Sequence, residues 1–199
     1  HCHESTAMKI HEKMLNKKII GKIDSTLEES QSGFRKGRST QDHIFTIKQI
    51  IEKYQQQEKK MYMACIDLEK AFDTVPRQQL WEILEKRGIS NKVIRVIKNI
   101  YNNNVNYIIS QNRKSKPFIT NEGLRQGGGL SPTLFIIYMD EIIKECKVKV
   151  KKMHVGYRNL RRVYISEGAF ADDVVILAEN EKQLQRNIEI WNETLKNME

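Results

Sequence analysis

Cysteine is scarce: three in 199 residues, Cys2, Cys65 and Cys146, odd in number and widely spaced. No Cys-x-x-Cys pair occurs, which argues against a disulfide scaffold and against a structural zinc site. His1-Cys2-His3 offers donors to a metal, but the tripeptide lacks a fourth ligand. No apolar run reaches membrane-spanning length and no signal peptide is visible, so no membrane partner is expected. The expected setting is reducing and intracellular, in the nucleus or the cytoplasm. No internal repeat and no low-complexity linker marks a domain boundary. Acidic residues are outnumbered, 25 against 34 Lys and Arg, for a formal charge of +9. A balance of this size suits a polyanionic partner or a solvated cationic surface. Hydrophobic residues make up 39% of the chain, enough for a core and too many for global disorder. The length fits one domain, or one and a part.

The stretch Phe170-Ala171-Asp172-Asp173-Val174-Val175-Ile176-Leu177 stands out. Two adjacent carboxylates between an apolar run and a β-branched run predict a hairpin with both aspartates at its turn. Adjacent like charges repel, and a divalent cation is the most direct compensation, since hard cations prefer carboxylate oxygens. A plain polar turn is the competing reading.

Met8 to Leu27 predicts an amphipathic helix, with Ile10, Met14, Leu15, Ile19, Ile20 and Ile23 inward and lysines outward. Gln31 to Thr40 holds two glycines and three cations, a basic loop able to close on an anion or simply to be solvated. Ser39 or Thr40 caps a second helix with Ile44, Ile47, Ile51 and Tyr54 on its stripe. Met61 to Asp67 reads as a buried strand ending in a carboxylate, with a helix N-cap as the other role for Asp67. Helices follow from Arg77 to Gly88 and from Ser90 to Asn102. A hairpin is expected between Val105 and Thr120.

Leu124-Arg125-Gln126-Gly127-Gly128-Gly129-Leu130-Ser131-Pro132 comes next. Its glycines expose backbone amides, Arg125 and Gln126 flank the space with donors, and Ser131-Pro132 opens a helix. A flexible linker is the alternative. That helix carries Leu134, Phe135, Tyr138, Met139, Ile142, Ile143 and Cys146 inward. Lys147 to Lys152 reads as a solvated connection, and a small hairpin is expected around Arg158-Asn159-Leu160. A closing helix presents Leu184, Ile188, Trp191, Leu195 and Met198.

A strand-terminal Asp67, a hairpin with Asp172 and Asp173, and a glycine-rich loop in a basic chain need one explanation. Carboxylates from different strands meeting over two magnesium ions are the apparatus of two-metal phosphoryl transfer. Four segments, Gln31 to Thr40, Ile66 to Asp73, Leu124 to Pro132 and Phe170 to Asp173, resemble consecutive reverse transcriptase motifs. The style is that of non-LTR retrotransposons of the LINE and jockey-like kind, and the resemblance runs from about Met8 onward. It implies an α+β fold: a polymerase palm whose small antiparallel sheet is backed by helices, plus partial helical fingers. Residues 1–60 would be a partial fingers segment and 61–199 the palm, with the thumb and a later lysine-bearing motif absent. A chain opening on His1 rather than Met is accordingly expected to be a piece of a larger element protein.

By motif position the resemblance assigns Asp67, Asp172 and Asp173 to catalysis and to Mg2+, two ions, with Mn2+ as a substitute. It assigns Phe72 to exclusion of the ribose 2′-hydroxyl. Arg125, Gln126 and Gly127 would line the nucleotide, and Arg35 and Arg38 would touch triphosphate or template. Asp73 matches the motif as a structural partner. The implied partners are an RNA template, a DNA primer and deoxynucleoside triphosphates. A remnant that only binds nucleic acid is the rival expectation, and a DNA-templated or RNA-producing polymerase a third.

Overall fold

The computed structural model describes residues 6–31, 33, 35, 37, 39–102, 105–110, 113–155, 163–165, 167–170 and 173–198. The chain divides into two compact units, His1–Ser25 with Lys70–Ile137 and Thr26–Glu69 with Tyr138–Glu199.

The first unit opens with α1 (Thr6–Ile23) and adds α3 (Arg77–Lys86) and α4 (Asn91–Asn102). The helix between them is α2, described below with its own unit. On α1 the buried stripe is Glu12, Leu15, Ile19 and Ile23, while Ile10, Met14 and Ile20 are exposed. The apolar face is therefore narrower than expected, because one carboxylate occupies a core position. Helix α3 ends as its sequence predicts. Gly88, at φ +72°, bonds its N–H to the Glu85 carbonyl at 2.8 Å, and Ile89 reaches back to Leu84 at 3.0 Å. Helix α4 buries Val93, Ile94, Ile97 and Tyr101, and α3 packs against it with Trp81 and Tyr101 ring centres 5.9 Å apart.

The expected hairpin follows as two short antiparallel ladders. Strand β2 (Val105–Asn106) pairs with β5 (Phe118–Ile119), and β3 (Ile109–Ser110) with β4 (Arg113–Lys114). The glycine-rich loop then leads into α5 (Ser131–Lys149), whose first two turns belong to this unit.

The second unit holds α2 (Thr40–Gln56) and β1 (Tyr62–Asp67). Ser39, not Thr40, caps α2. Its hydroxyl accepts the Asp42 N–H at 3.3 Å while the Asp42 carboxylate accepts the Ser39 N–H at 2.9 Å. Ile50 and Tyr54 are buried on α2, and the expected Ile44 is exposed. In the later turns of α5, Tyr138, Met139, Asp140, Ile142, Ile143 and Cys146 are buried, while Val148 and Lys149 are exposed. Asp140 is fully buried there, accepting the Glu28 N–H at 2.6 Å and pairing with Lys144 at 2.9 Å. The helix runs on to Lys149, so the first half of the supposed connection is its last turn, with Lys147 bonded to Glu28.

Strand β6 (Met153–Val155) pairs with β7 (Val163–Ile165), as the small hairpin requires; Arg158-Asn159-Leu160 lies outside the described residues. Then β8 (Glu167–Phe170) and β9 (Asp173–Ala178) form an antiparallel pair, and β9 pairs on its other side with β1, giving the order β1-β9-β8. Val174, Ile176 and Ala178 are fully buried on one face, while Leu177 and Val175 join Ile50, Tyr54, Met153 and Met61 on the other. Strand β1 was expected to be buried. It lies at the sheet edge instead, and Met63, Cys65 and Asp67 are exposed.

Helix α6 (Glu181–Asn197) packs on β9 and β1. Its fully buried residues are Gln183, Asn187, Trp191 and Thr194, with Leu184, Ile188 and Leu195 only half-buried. The polar face has a reason: Gln183 and Asn187 both donate to the Lys151 carbonyl, at 3.0 and 3.1 Å, and Asn187 accepts the Lys151 N–H. The side-chain amides thus serve both the N–H and the carbonyl of Lys151 just before β6. Among the described residues no helix is long and apolar enough to cross a membrane.

Candidate functional site

In the second unit, the register of β1 and β9 sets Asp67 directly opposite Asp173. Residues so paired project from the same face of the sheet, with Cβ atoms roughly 4.5–5.5 Å apart. Both carboxylates are exposed, and both lie on the face that carries Val175 and Leu177. Asp67 ends a strand and caps no helix, since the next helix begins at Arg77. Asp173 is the first residue of β9 and pairs with Phe170, so it belongs to the strand and not to the turn. Asp172 lies outside the described residues. Among the described residues neither Asp67 nor Asp173 has a cationic partner, and no cluster of three metal-ligating side chains forms. Like charges directly opposite across a strand pair are destabilising, so this pair is held by the sheet against its own repulsion.

The basic loop of this unit is tied to its own backbone. Arg35 donates from one guanidinium nitrogen to the Glu28 and Gln31 carbonyls, each at 3.0 Å, and Gln31 is fully buried. Arg38 lies outside the described residues.

In the first unit, the segments 72–75 and 123–126 are stitched together. The Gly123 N–H bonds to the Val75 carbonyl at 2.9 Å and the Leu124 N–H to the Phe72 carbonyl at 2.7 Å. Gly123 sits at φ +80°, and a Cβ there would stand 2.5 Å from the Asp73 carbonyl oxygen. The half-buried Phe72 ring stacks on Phe135, centroids 4.4 Å apart and planes within 16°. Gln126 is exposed and donates to the Asp73 carboxylate at 3.4 Å. Gly127, also exposed, has φ +85° and open space around it.

Arg125 takes a different position from its neighbour. Its side chain is 11% exposed, pairs with Glu12 at 3.6 Å, donates to the Ile100 carbonyl at 2.7 Å and lies over the Tyr101 ring. Arg77 forms a second buried hub, donating to the carbonyls of Gly123 and Thr120, each at 2.7 Å. Burial pulls the Arg77 guanidinium below its ordinary range and pushes the Tyr101 phenol above its own. The Tyr101 hydroxyl meets the Ser131 hydroxyl at 2.9 Å.

The structure brings Phe72, Gln126 and Gly127 onto two adjoining segments, and it adds Glu12, Arg77 and Gly123, which the sequence did not single out. Glu12 had a signal: it is three, seven and eleven residues before Leu15, Ile19 and Ile23, the same helical stripe. Arg77 and Gly123 had none, because their partners are distant in the chain.

The reverse transcriptase (RNA-dependent DNA polymerase) family profile matches residues 4–199. The Pol polyprotein of the R2DM retrotransposable element of Drosophila melanogaster is 24% identical over 175 residues, 87% of this chain and 16% of that protein. The R2 polyprotein of Nasonia vitripennis is 25% identical over 81% of the chain and 15% of its own length. The 149 kDa protein of transposon TX1 of Xenopus laevis is 23% identical over 92% of the chain and 14% of its own length. The chain therefore spans about one sixth of the length of these relatives. Among solved structures, telomerase from Candida tropicalis in complex with a fragment of telomeric RNA superposes with a TM-score of 0.60 at 14% identity. That match covers 93% of this chain and 30% of the telomerase. The apo telomerase truncated from its C-terminal domain gives 0.61 at 12% identity, over 92% and 36%. The fold is thus a polymerase palm of small antiparallel sheet and packed helices, and the chain belongs to the reverse transcriptase family.

Proposed function

We propose that this chain is the catalytic core of an RNA-directed DNA polymerase of a retrotransposon, adding deoxynucleotides to a primer 3′-hydroxyl by two-metal nucleotidyl transfer. The observation that carries the reading is the register of Asp67 against Asp173. Two exposed hard-oxygen donors side by side, with no cationic partner among the described residues, suit magnesium. Asp67 and Asp173 would hold it, joined by Asp172. When bound, two such ions lower the pKa of the attacking hydroxyl and neutralise the leaving pyrophosphate.

The chain's own residues orient the reactants. Phe72, its ring stacked on Phe135, would close over the sugar and exclude a 2′-hydroxyl. Gln126 and Gly127 offer an exposed amide and an open backbone to the nucleotide and its template base. Arg125 and Arg35 act by holding their loops, and Arg38 keeps its assignment to triphosphate or template. The net charge of +9 attracts the phosphates of template and primer. In this reading residues 1–60 act as fingers and 61–199 as palm, within a longer element protein.

Primer extension on RNA and on DNA templates, by the unmodified protein and by Asp172→Ala, tests the reading. Magnesium-dependent extension on RNA that disappears in Asp172→Ala supports it. Retained RNA binding with no extension by the unmodified protein selects the binding remnant instead.

Sugar selection is a separate expectation. Phe72→Ala should lose roughly 10–200-fold in preference for deoxy- over ribonucleotides, the range that one filled or emptied hydrophobic contact commands. Competition between the two nucleotide types measures it, and an unchanged ratio removes Phe72 from the site.

A further inference from the structure

Glu12 is a carboxylate in a core position, 2% exposed, on the same buried row of α1 as Leu15, Ile19 and Ile23. A buried carboxylate is costly unless its oxygens are used. Both are used on the glycine-rich loop. One oxygen pairs with Arg125 at 3.6 Å, and the other accepts the Leu130 N–H at 3.3 Å. Gly128 and Gly129 pass over the same oxygen, their Cβ positions 3.3 and 3.7 Å from it. One turn further along α1, Asn16 accepts the Thr133 hydroxyl at 2.5 Å, so the helix also grips the start of α5. Arg125 and Leu130 bracket the exposed pair Gln126 and Gly127.

We propose that Glu12 is a positioning residue for the glycine-rich loop, fixing the height at which Gln126 and Gly127 are presented. The functional part of this rests on the reading of those two residues as nucleotide contacts. Glycines make the loop permissive, and permissive backbone holds one conformation only when something outside it supplies the constraint. Glu12 supplies it at both ends. Its charge is matched to Arg125, so Arg125 is oriented inward to the Ile100 carbonyl and the Tyr101 ring and kept off the loop's open side.

The test uses Glu12→Gln and Glu12→Ala in two measurements. Hydrogen exchange of the amides from Gly127 to Leu130 is compared with that of α3 and α4. Equilibrium binding of a deoxynucleoside triphosphate with magnesium is measured alongside. Glu12→Ala should speed loop exchange about tenfold or more and leave α3 and α4 unchanged, as loss of a charge-assisted hydrogen bond implies. Glu12→Gln, whose amide oxygen still accepts, should protect Leu130 better than the alanine does. Triphosphate affinity should fall in the same order. Loop exchange that stays put, or that rises equally in α3 and α4, overturns the proposal. A loosened loop with unchanged triphosphate affinity upholds Glu12 as the anchor and overturns the nucleotide assignment of Gln126 and Gly127.

Discussion

Asp67→Asn is expected to cut primer extension by on the order of 10³-fold while leaving the metal-free protein as stable as before, or slightly more so. Charge stabilisation by a bound ion supplies several kcal/mol to the transition state, and each 1.36 kcal/mol is tenfold in rate. Asparagine keeps the shape of the side chain and removes its charge. Stability moves the other way. Asp67 is exposed and faces Asp173 across the strand pair, so it contributes repulsion and no packing. Relieving a like-charge pair of this kind gains roughly 0.2–1 kcal/mol. The variant should therefore melt at the same temperature or a little higher without magnesium. It should also lose most of the stabilisation that magnesium gives the unmodified protein. Thermal melting with and without the ion, beside extension rates, reads both effects. A variant that melts lower in metal-free buffer would show that Asp67 supports the fold and would undo its role as a ligand.

Gly123→Ala carries the largest expected cost to stability. At φ +80° any side chain is disfavoured, by roughly 1–2 kcal/mol. The new Cβ would also lie 2.5 Å from the Asp73 carbonyl oxygen, a backbone atom that cannot swing aside. Relief requires the segments 72–75 and 123–126 to part, which sacrifices the Gly123 and Leu124 hydrogen bonds at about 1 kcal/mol each. The sum, on the order of 3–5 kcal/mol, is a large share of the 5–15 kcal/mol that holds a typical domain together. Gly127→Ala is the control: its φ is +85°, but open space surrounds it. Only the conformational part applies there. Denaturant titrations of the two variants should differ by about 2–3 kcal/mol, and equal losses would mean that the close approach to Asp73 is not what selects glycine at 123.

Much of this was legible in the chain. Helical spacing placed the long helices, and the glycines and Ser131-Pro132 placed their ends, because these signals are local. The β8–β9 hairpin was legible for the same reason. What periodicity misjudged was which side of a helix counts as inside. Glu12 on α1 and Gln183, Asn187 and Thr194 on α6 are polar residues in buried rows. Partners remote in sequence hold three of them, Arg125 for Glu12 and the Lys151 backbone for Gln183 and Asn187. Ile10, Met14 and Ile44 erred in the opposite direction, apolar at helical spacing yet exposed. In the site itself, Asp67 and Phe72 came from their motifs. The inward turn of Arg125 could not be read, because Arg and Gln side by side in a loop look equally available.

The β1–β9 pairing also bears on how the chain reaches its folded state. The strands are separated by more than a hundred residues, and β9 is the central strand of its sheet. Closing a loop of that length costs roughly 4 kcal/mol of chain entropy before any ladder bond repays it. Contacts so distant in sequence form late and slow the overall rate. During synthesis β1 leaves the ribosome long before residues 173–178 exist, so its apolar edge waits unpaired. The two aspartates come into register only when that wait ends, which makes assembly of the carboxylate pair one of the last events in the life of the nascent chain.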